Sequence, residues 1–293
     1  MKIAVVNMRS ELDKQLNLKK HISFVEQAAE QGVSLLVFPE LSLNGYLWDI
    51  QRNPPPKEAE YFLREAEPVP GPSSSELAEQ ARKRDMFLIF GMAEECGGGL
   101  VCDSSVLVGP GSTLAVHRKV HLIGDESHIF RAGDRWQVWQ LPFARLGMMV
   151  CYDKVFPEGP RELALGGADI LVSISAWAIA GDKPEGDFLG GLFDLYDRVR
   201  ASENQCWFIS TNQVGAGPQS PKLFYGSSKI VDPFGRVVVQ AGFEEGMVSA
   251  ELDIKAGVLK GRTRGVYVGT NLLKDRRPDS YRRIASNPLN SED

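Results

Sequence analysis

Two apolar segments near the start of the chain decide its fold: KIAVVN at positions 2–7 and VSLLVF at positions 33–38. Both are short, continuous and rich in branched residues, which is typical of strands buried on both faces. Between them, apolar residues recur at a helical spacing, at Leu18, Ile22, Val25 and Ala29. Gly32 stands where a helix C-cap is expected. The opening therefore predicts a β-α-β unit and a parallel or mixed sheet.

The same alternation of strand and helix runs through the rest of the chain. Helices are predicted from Ser73 to about Arg84 and from Phe188 to Asn204. Further strands are predicted over residues 86–92, 103–108, 113–117, 145–150, 169–174 and 207–211, followed by a β meander over 228–231, 236–240 and 247–252.

The chain carries no sign of a second domain. It has no internal repeat, no low-complexity tract and no break in composition that would mark a linker. The glycines at 97–99 predict a hairpin turn, and the proline cluster at 54–56 predicts a surface loop. We expect a single α/β domain over residues 1–293, with a polar C-terminal arm from about residue 268.

Composition excludes several classes of protein. With 43% hydrophobic and 24% charged residues, the 293-residue chain has an ordinary globular composition. Its 33 basic and 38 acidic residues give a net charge of −5, which argues against a nucleic-acid-binding surface. No apolar run approaches a membrane span, and the N-terminal segment becomes polar too early for a secretory signal. We therefore expect a cytoplasmic protein with neither a membrane nor a nucleic-acid partner.

The four cysteines show no spacing typical of a metal site. Cys96, Cys102, Cys151 and Cys206 form no C-x-x-C pair, so we expect reduced thiols, one of them reactive. His117 and His121 are four residues apart, but they lack a helical frame and a third ligand. The sequence therefore predicts no metal ion.

Cys151 directly follows the predicted strand over 145–150 and precedes a turn into a helix. Backbone N–H groups of such a turn favour a thiolate and can hold a developing oxyanion. Cysteine is also a common core residue, so its position alone leaves a structural role open.

Two more groups stand just beyond predicted strands. Glu40 follows the strand over 33–38, and Lys119 follows the strand over 113–117. Taken alone, the glutamate can be a helix cap and the lysine a solvated surface residue. A cysteine nucleophile needs a base, however, and the histidines have no recognisable protease context. A carboxylate that takes the thiol proton and an ammonium that stabilises the oxyanion can replace the imidazole.

Three short motifs carry a resemblance to a known family. FPE at 38–40, HRKVHL at 117–122, and CYD at 151–153 followed by FPE at 156–158 resemble the three signature blocks of the carbon-nitrogen hydrolase (nitrilase) superfamily. Their order matches, and so does their spacing of 79 residues from Glu40 to Lys119 and 32 from Lys119 to Cys151. Secondary matches extend over nearly the whole chain, among them SAW at 175–177, RASEN at 200–204 and DPFG at 232–235.

The resemblance implies a fold and a set of catalytic roles. The superfamily fold is a four-layer α-β-β-α sandwich, and its members usually form homodimers or larger assemblies. By resemblance Glu40 is the general base, Lys119 the oxyanion stabiliser and Cys151 the nucleophile. Glu126 matches a second glutamate that positions the substrate or assists proton transfer. No metal and no organic cofactor is implied.

The residues after the nucleophile distinguish among the reactions of the superfamily. Tyr152 and Asp153 resemble the amidase and carbamoyl-amide branches, whereas nitrile hydrolases tend to have Trp-Glu there. The resemblance thus implies an amidase that uses water to release ammonia from a small amide or N-carbamoyl amine through a thioester. A nitrile hydrolase, an amide-forming acyltransferase and a catalytically inactive binding subunit are the alternatives.

Four aromatic residues are candidates for contact with the substrate: Tyr46, Phe130, Tyr152 and Trp177. Each can instead be an ordinary core residue. Related amidases often carry a basic residue in the position of Val155, and this chain has Lys154 one place earlier. Whether Lys154 replaces that residue in recognising a substrate carboxylate is left open by the sequence.

Overall fold

The computed structural model describes residues 1–47, 56–111, 113–218, 222–264, 267–281 and 283–284, which form thirteen strands and six helices. The strands are β1 (Lys2–Met8), β2 (Leu35–Val37), β3 (Phe87–Glu95), β4 (Val101–Val108), β5 (Thr113–Arg118), β6 (Val138–Gln140), β7 (Arg145–Val150), β8 (Ile170–Ser175), β9 (Trp207–Ala216), β10 (Leu223–Tyr225), β11 (Lys229–Val231), β12 (Val237–Gln240) and β13 (Gly246–Glu251). The helices are α1 (Lys14–Glu30), α2 (Pro56–Glu65), α3 (Pro72–Lys83), α4 (Glu158–Leu165), α5 (Phe188–Asn204) and α6 (Ile254–Arg264). Short 3-10 turns cover Gly124–His128, Cys151–Val155 and Pro278–Ser280.

The strands form one mixed sheet in the order β5-β4-β3-β2-β1-β9-β8-β7-β6. Strands β1, β2 and β3 are parallel, as are β7, β8 and β9. The outer strands β4, β5 and β6 pair antiparallel with their neighbours. Because the central strands are parallel, their carboxyl ends lie on one edge of the sheet. The predicted site residues follow these strand ends. The predicted mixed α/β fold is confirmed.

Alternate residues of the strands pack into different hydrophobic cores, since successive side chains point to opposite faces of a sheet. One cluster joins Val5 of β1 to Met148 of β7, so the β1–β5 half and the β6–β9 half share a hydrophobic core. On the other faces, Val6 packs with residues of α1 and α3, and Met149 with residues of α4 and α5. This division of the cores agrees with the α-β-β-α layering that the resemblance implies.

Some elements differ from the sequence-based expectations. Residues 247–252 were expected to close a meander, but β13 pairs antiparallel with β1 instead, where its side chains pack against buried residues of the core. Pro56 begins α2 rather than lying in a loop, because proline is tolerated in the first turn of a helix. The other two prolines of the 54–56 cluster lie outside the described residues. Helix α6 was not predicted either.

The hairpin between β3 and β4 contains a disulfide. Cys96 and Cys102 are bonded across the turn, with their Cα atoms 6.0 Å apart. The glycine-rich turn over 97–99, which was predicted, brings the two cysteines together. The expectation of four reduced thiols is therefore wrong for this pair, since cysteines six residues apart meet only after the hairpin forms. Cys151 and Cys206 are free and buried.

The polar C-terminal segment runs along the surface. In the described part of it, residues 267–281, most side chains are exposed, and the Leu272 N–H donates to the Gln205 side chain. None of the helices in the described ranges has both the length and the apolar character needed to span a membrane.

Candidate active site

Glu40 is fully buried in the loop that follows β2. The next residue, Leu41, has a positive φ of 47°, which turns the chain sharply. The loop lies directly on Gly91 of β3, where an added Cβ would stand 2.7 Å from the Glu40 Cα atom. A side chain at position 91 would therefore displace the glutamate.

Lys119 lies one residue beyond β5 and is almost completely buried. Its Nζ donates to Oε1 of Glu40 and to Oε1 of Glu126, each at 2.6 Å. Burial opposes the charged form, but the charges of Glu126, Glu40 and Asp103 prevail and raise the pKa of Lys119 well above its usual value. The side chain is therefore a permanent ammonium held between two carboxyl groups.

Both glutamates have further donors. Oε2 of Glu40 accepts from the Ala176 N–H, just beyond β8, at 2.5 Å. Glu126 lies in a 3-10 turn, where its Oε2 accepts from the Ile123 N–H at 2.9 Å and its Oε1 from the Tyr46 hydroxyl at 2.5 Å. Donors from four different segments thus fix the two carboxyl groups.

Asp103, on β4, is a member of the site that the sequence analysis missed. It is fully buried, and neither side-chain oxygen meets a hydrogen-bond donor among the described residues. Burial and the neighbouring Glu40 charge raise the pKa of Asp103 well above its usual value. Oxygens of Glu40, Asp103 and Glu126 lie within 4.8 Å of one another, a spacing that suits a cation, and the Lys119 ammonium occupies that role. An acidic residue within a predicted strand was the available signal.

Cys151 follows β7 and opens the 3-10 turn over Cys151–Val155. It has a positive φ of 47°, an uncommon conformation for a residue with a side chain and one that clusters at functional sites. The Asp153 carboxylate accepts from the Val150 N–H at 3.0 Å and so holds the turn closed. Burial and the Glu40 charge raise the pKa of the Cys151 thiol well above its usual value, although Lys119 opposes them. The resting group is therefore a thiol.

The Asp153 carboxylate is held by His117 and His121, the two histidines of the motif at 117–122. His117 Nε2 lies 3.2 Å and His121 Nδ1 3.0 Å from its carboxylate oxygens. Burial alone would raise the pKa of Asp153, but hydrogen bonds with His117 and His121 lower it to about 2. The histidines thus support the turn that carries the cysteine.

A cavity of about 320 Å³ opens beside Cys151. Tyr152 and Trp177, two of the predicted substrate contacts, lie in its wall. Tyr46 instead contacts Glu126, and Phe130 packs against Phe62 with ring centres 4.9 Å apart. Contact of these last two residues with a substrate stays a prediction.

Lys154 is not among the described residues that line this cavity. Its side chain is fully buried, and its Nζ binds Asp197 of α5 at 2.6 Å. Arg200, also on α5, donates to the carbonyl oxygens of Lys154 and Val155 at 2.8 and 2.9 Å. Lys154 thus supports the turn, whereas Val155 lines the cavity.

Comparisons with known proteins agree with the resemblance. The family description "Carbon-nitrogen hydrolase" matches residues 2–257. A probable nitrilase of Schizosaccharomyces pombe is 32% identical over 97% of this chain and 98% of its own length. Omega-amidase NIT2 of Mus musculus is 27% identical over 96% of each chain.

A solved structure gives the same result. An amidase from Nesterenkonia sp. AN1, in which acrylamide has added to the active-site cysteine, matches with a TM-score of 0.75 and 26% identity over 95% of this chain and 97% of its own. A cysteine-to-alanine variant of the same amidase was solved in complex with butyramide. The chain belongs to the carbon-nitrogen hydrolase (nitrilase) superfamily, whose members hydrolyse carbon-nitrogen bonds, as its sequence motifs predicted.

Proposed function

We propose that this protein is an amidase that releases ammonia from a small amide or N-carbamoyl amine through a thioester on Cys151. The observation that carries the proposal is the direct contact between Glu40 and Lys119 at 2.6 Å, with both charges acting on a thiol that opens into a cavity. This combination provides a base, a cation and a nucleophile in surroundings largely shielded from water.

In the first half of the reaction, Glu40 accepts the thiol proton as the sulfur attacks the amide carbonyl. A base is needed because the raised pKa of Cys151 leaves the thiol protonated at neutral pH. The negative charge that develops on the carbonyl oxygen is stabilised by the Lys119 ammonium and by the Tyr152 N–H at the start of the 3-10 turn. Collapse of the tetrahedral intermediate breaks the carbon-nitrogen bond, and Glu40 returns its proton to the leaving nitrogen.

In the second half, a water molecule takes the place of ammonia. Glu40 removes a proton from this water as it attacks the thioester, and the cysteine leaves with that proton as the carboxylic acid is released. Glu126 keeps Lys119 in position through its 2.6 Å contact and assists the transfer of protons. Every group in this cycle belongs to the chain, the substrate or water.

The test is ammonia release from a panel of ω-amides, N-carbamoyl amines, aliphatic amides and nitriles. We expect turnover by the wild type, a covalent acyl adduct detected by mass spectrometry, and loss of both in Cys151→Ala. Cys206→Ala is the matched control, because Cys206 is the other free buried cysteine and bonds to the Ala168 carbonyl away from the site. Equal activity in wild type and Cys151→Ala would refute the assigned nucleophile.

The same experiment separates the alternatives. Turnover of nitriles in preference to amides would indicate a nitrile hydrolase, and products formed with hydroxylamine in preference to water would indicate an acyltransferase. A protein that releases no ammonia and forms no adduct with any member of the panel would be a binding subunit. Amide hydrolysis is favoured because Tyr152 and Asp153 follow the nucleophile.

A further inference from the structure

We propose that the cavity beside Cys151, here called the acyl pocket, selects amides with an uncharged, apolar acyl group and rejects amides of the same shape that end in a carboxylate. The inference rests on the proposed function, because it concerns the acyl group that Cys151 attacks. It concerns selectivity, which the catalytic groups alone do not determine.

The wall of the acyl pocket is almost entirely carbon. Apolar side chains from four parts of the chain form it: Ile123 from the segment after β5, Val155 from the turn after Cys151, Ile179 from the segment after β8, and Leu189 and Leu192 from α5. An apolar acyl chain placed here leaves water without leaving any polar group unpaired.

The size of the pocket favours a short acyl chain. Its volume of about 320 Å³ lies at the lower end of the ~300–1,000 Å³ that small-ligand sites span. At the ~30 Å³ that one water molecule occupies in the liquid, the volume corresponds to about ten non-hydrogen atoms. An amide whose acyl group has four to six carbons contains about six to eight non-hydrogen atoms, which this volume accommodates.

The nearest buried cations are already paired. Lys154 Nζ lies 5.4 Å from the ring centre of Trp177, which is part of the pocket wall, but it binds Asp197. Lys229, equally buried, binds Asp194 at 2.7 Å and Asp197 at 3.3 Å. A substrate carboxylate in the pocket would lose its hydration without gaining either ammonium as a partner, which is strongly unfavourable.

Lys222 is a feature of the pocket that favours a substrate carboxylate instead. It is the charged member of the described pocket lining, and it borders the undescribed residues 219–221. A carboxylate at the far end of an acyl chain could pair with its ammonium. The apolar residues that form most of the lining make the uncharged chain the better fit, and the experiment includes a variant that decides between the two.

The decisive comparison uses two amides of nearly the same shape, 4-methylpentanamide and succinamate, in which an isopropyl group replaces a carboxylate. We expect kcat/KM to be at least about 100-fold higher for 4-methylpentanamide, since a buried unpaired charge is rejected more strongly than a missing methylene. A preference for succinamate would overturn this inference and leave the proposed amidase intact. Absence of turnover and of acyl adduct with every amide would instead refute the proposed function.

A series of unbranched amides tests the same pocket without any variant. From acetamide to butyramide, kcat/KM should rise by about 10-fold or more per methylene until the pocket is full. A flat series would contradict the proposal, because an apolar pocket gains from each added group.

Two variants locate the selectivity. Leu192→Arg should lower kcat/KM for 4-methylpentanamide by at least about 10-fold and raise it for succinamate, while Leu195→Arg, at an exposed position of the same helix, should leave their ratio unchanged. In Lys222→Met the preference for 4-methylpentanamide should persist. Succinamate turnover in the wild type that disappears in Lys222→Met would show an ionic anchor and overturn the proposal.

Discussion

Two clusters of charged residues act on Cys151 or on the turn that it opens, and they differ in their balance of charge. The Lys119 cluster consists of Glu40, Asp103, Lys119 and Glu126. The Lys154 cluster consists of Lys154, Asp194, Asp197 and Lys229. The first holds one ammonium among three carboxyl groups, whereas the second holds two ammonium groups and two carboxyl groups.

The imbalance has a chemical consequence. Three carboxyl groups around a single cation cannot all be ionised in surroundings that exclude water, so at least one holds a proton. Asp103, which meets no donor among the described residues, is the group whose pKa is raised. A cluster in which a carboxyl group holds a proton suits proton transfer, and Glu40 and Lys119 of this cluster act most strongly on the Cys151 thiol.

The balanced cluster acts on the backbone. Asp197 binds Lys154, and Arg200 binds two carbonyl oxygens of the same turn. Both residues belong to α5, so this helix clamps the turn whose first residue, Cys151, has a positive φ. Under the proposed function, one cluster serves the reaction and the other keeps the nucleophile in an uncommon conformation.

The largest effect should come from removing the cation of the unbalanced cluster. In Lys119→Met we expect kcat to fall about 10³- to 10⁵-fold, because the oxyanion loses its ammonium and Glu40 loses the cation that holds its carboxyl group in place. Steady-state ammonia release with a neutral amide measures the effect.

If Lys119→Met retained most of its turnover, the Lys119 cluster would not be the one that serves the reaction. Circular dichroism and thermal unfolding should accompany the kinetics, so that loss of activity is separated from loss of fold. Lys83→Met, in an exposed pair with Glu79, is the matched control and should change neither property appreciably.

The sequence predicted the groups around Cys151 better than the contacts of the Lys154 cluster. Glu40 and Cys151 stood out because each directly follows a buried strand, and α5 was predicted over the same residues, 188–204, that it occupies. Lys119 looked like part of a solvated basic pair and was assigned a role through the resemblance. Local sequence patterns thus located the groups that directly follow a strand at the edge of the sheet.

Pairing between distant segments could not be predicted in this way. Asp197 is 43 residues from Lys154, and no local pattern shows that an aspartate on a helix will meet a lysine in a turn. The same limit applies to β13: its alternation predicted a strand, but its partner β1 lies at the other end of the chain. The glycine-containing α6 was missed because its apolar stripe is weak, and packing against Trp207 stabilises it.

The second effect concerns stability. Lys154→Met leaves Asp197 with only the 3.3 Å contact to Lys229, and breaking a buried pair in this way should lower the free energy of unfolding by about 3 kcal/mol. Chemical denaturation measures it. Replacing both partners, in Lys154→Met with Asp197→Leu, should recover much of the loss, because no uncompensated charge then stays buried. An unchanged stability in the single variant would show that the balanced cluster is not the structural element described above.

The last effect is a change in the pH dependence of stability. In the folded protein, burial and the Glu40 charge raise the pKa of Asp103 well above its usual value, whereas in the unfolded chain it is near 3.9. The folded state therefore binds the extra proton, and the stability that this proton provides is fully present below about pH 4 and is lost as the pH rises.

Asparagine has nearly the shape of a protonated aspartate and cannot ionise, so Asp103→Asn should remove this dependence. Relative to wild type, the free energy of unfolding of the variant should increase with pH above about 4, by up to about 1.4 kcal/mol per pH unit. Denaturation at pH 5, 6 and 7 measures the difference, and the exposed Asp182→Asn should show none. A difference that stays constant from pH 5 to pH 7 would mean that Asp103 is ionised in the folded protein as well, and the Lys119 cluster would then carry one more negative charge than the raised pKa implies.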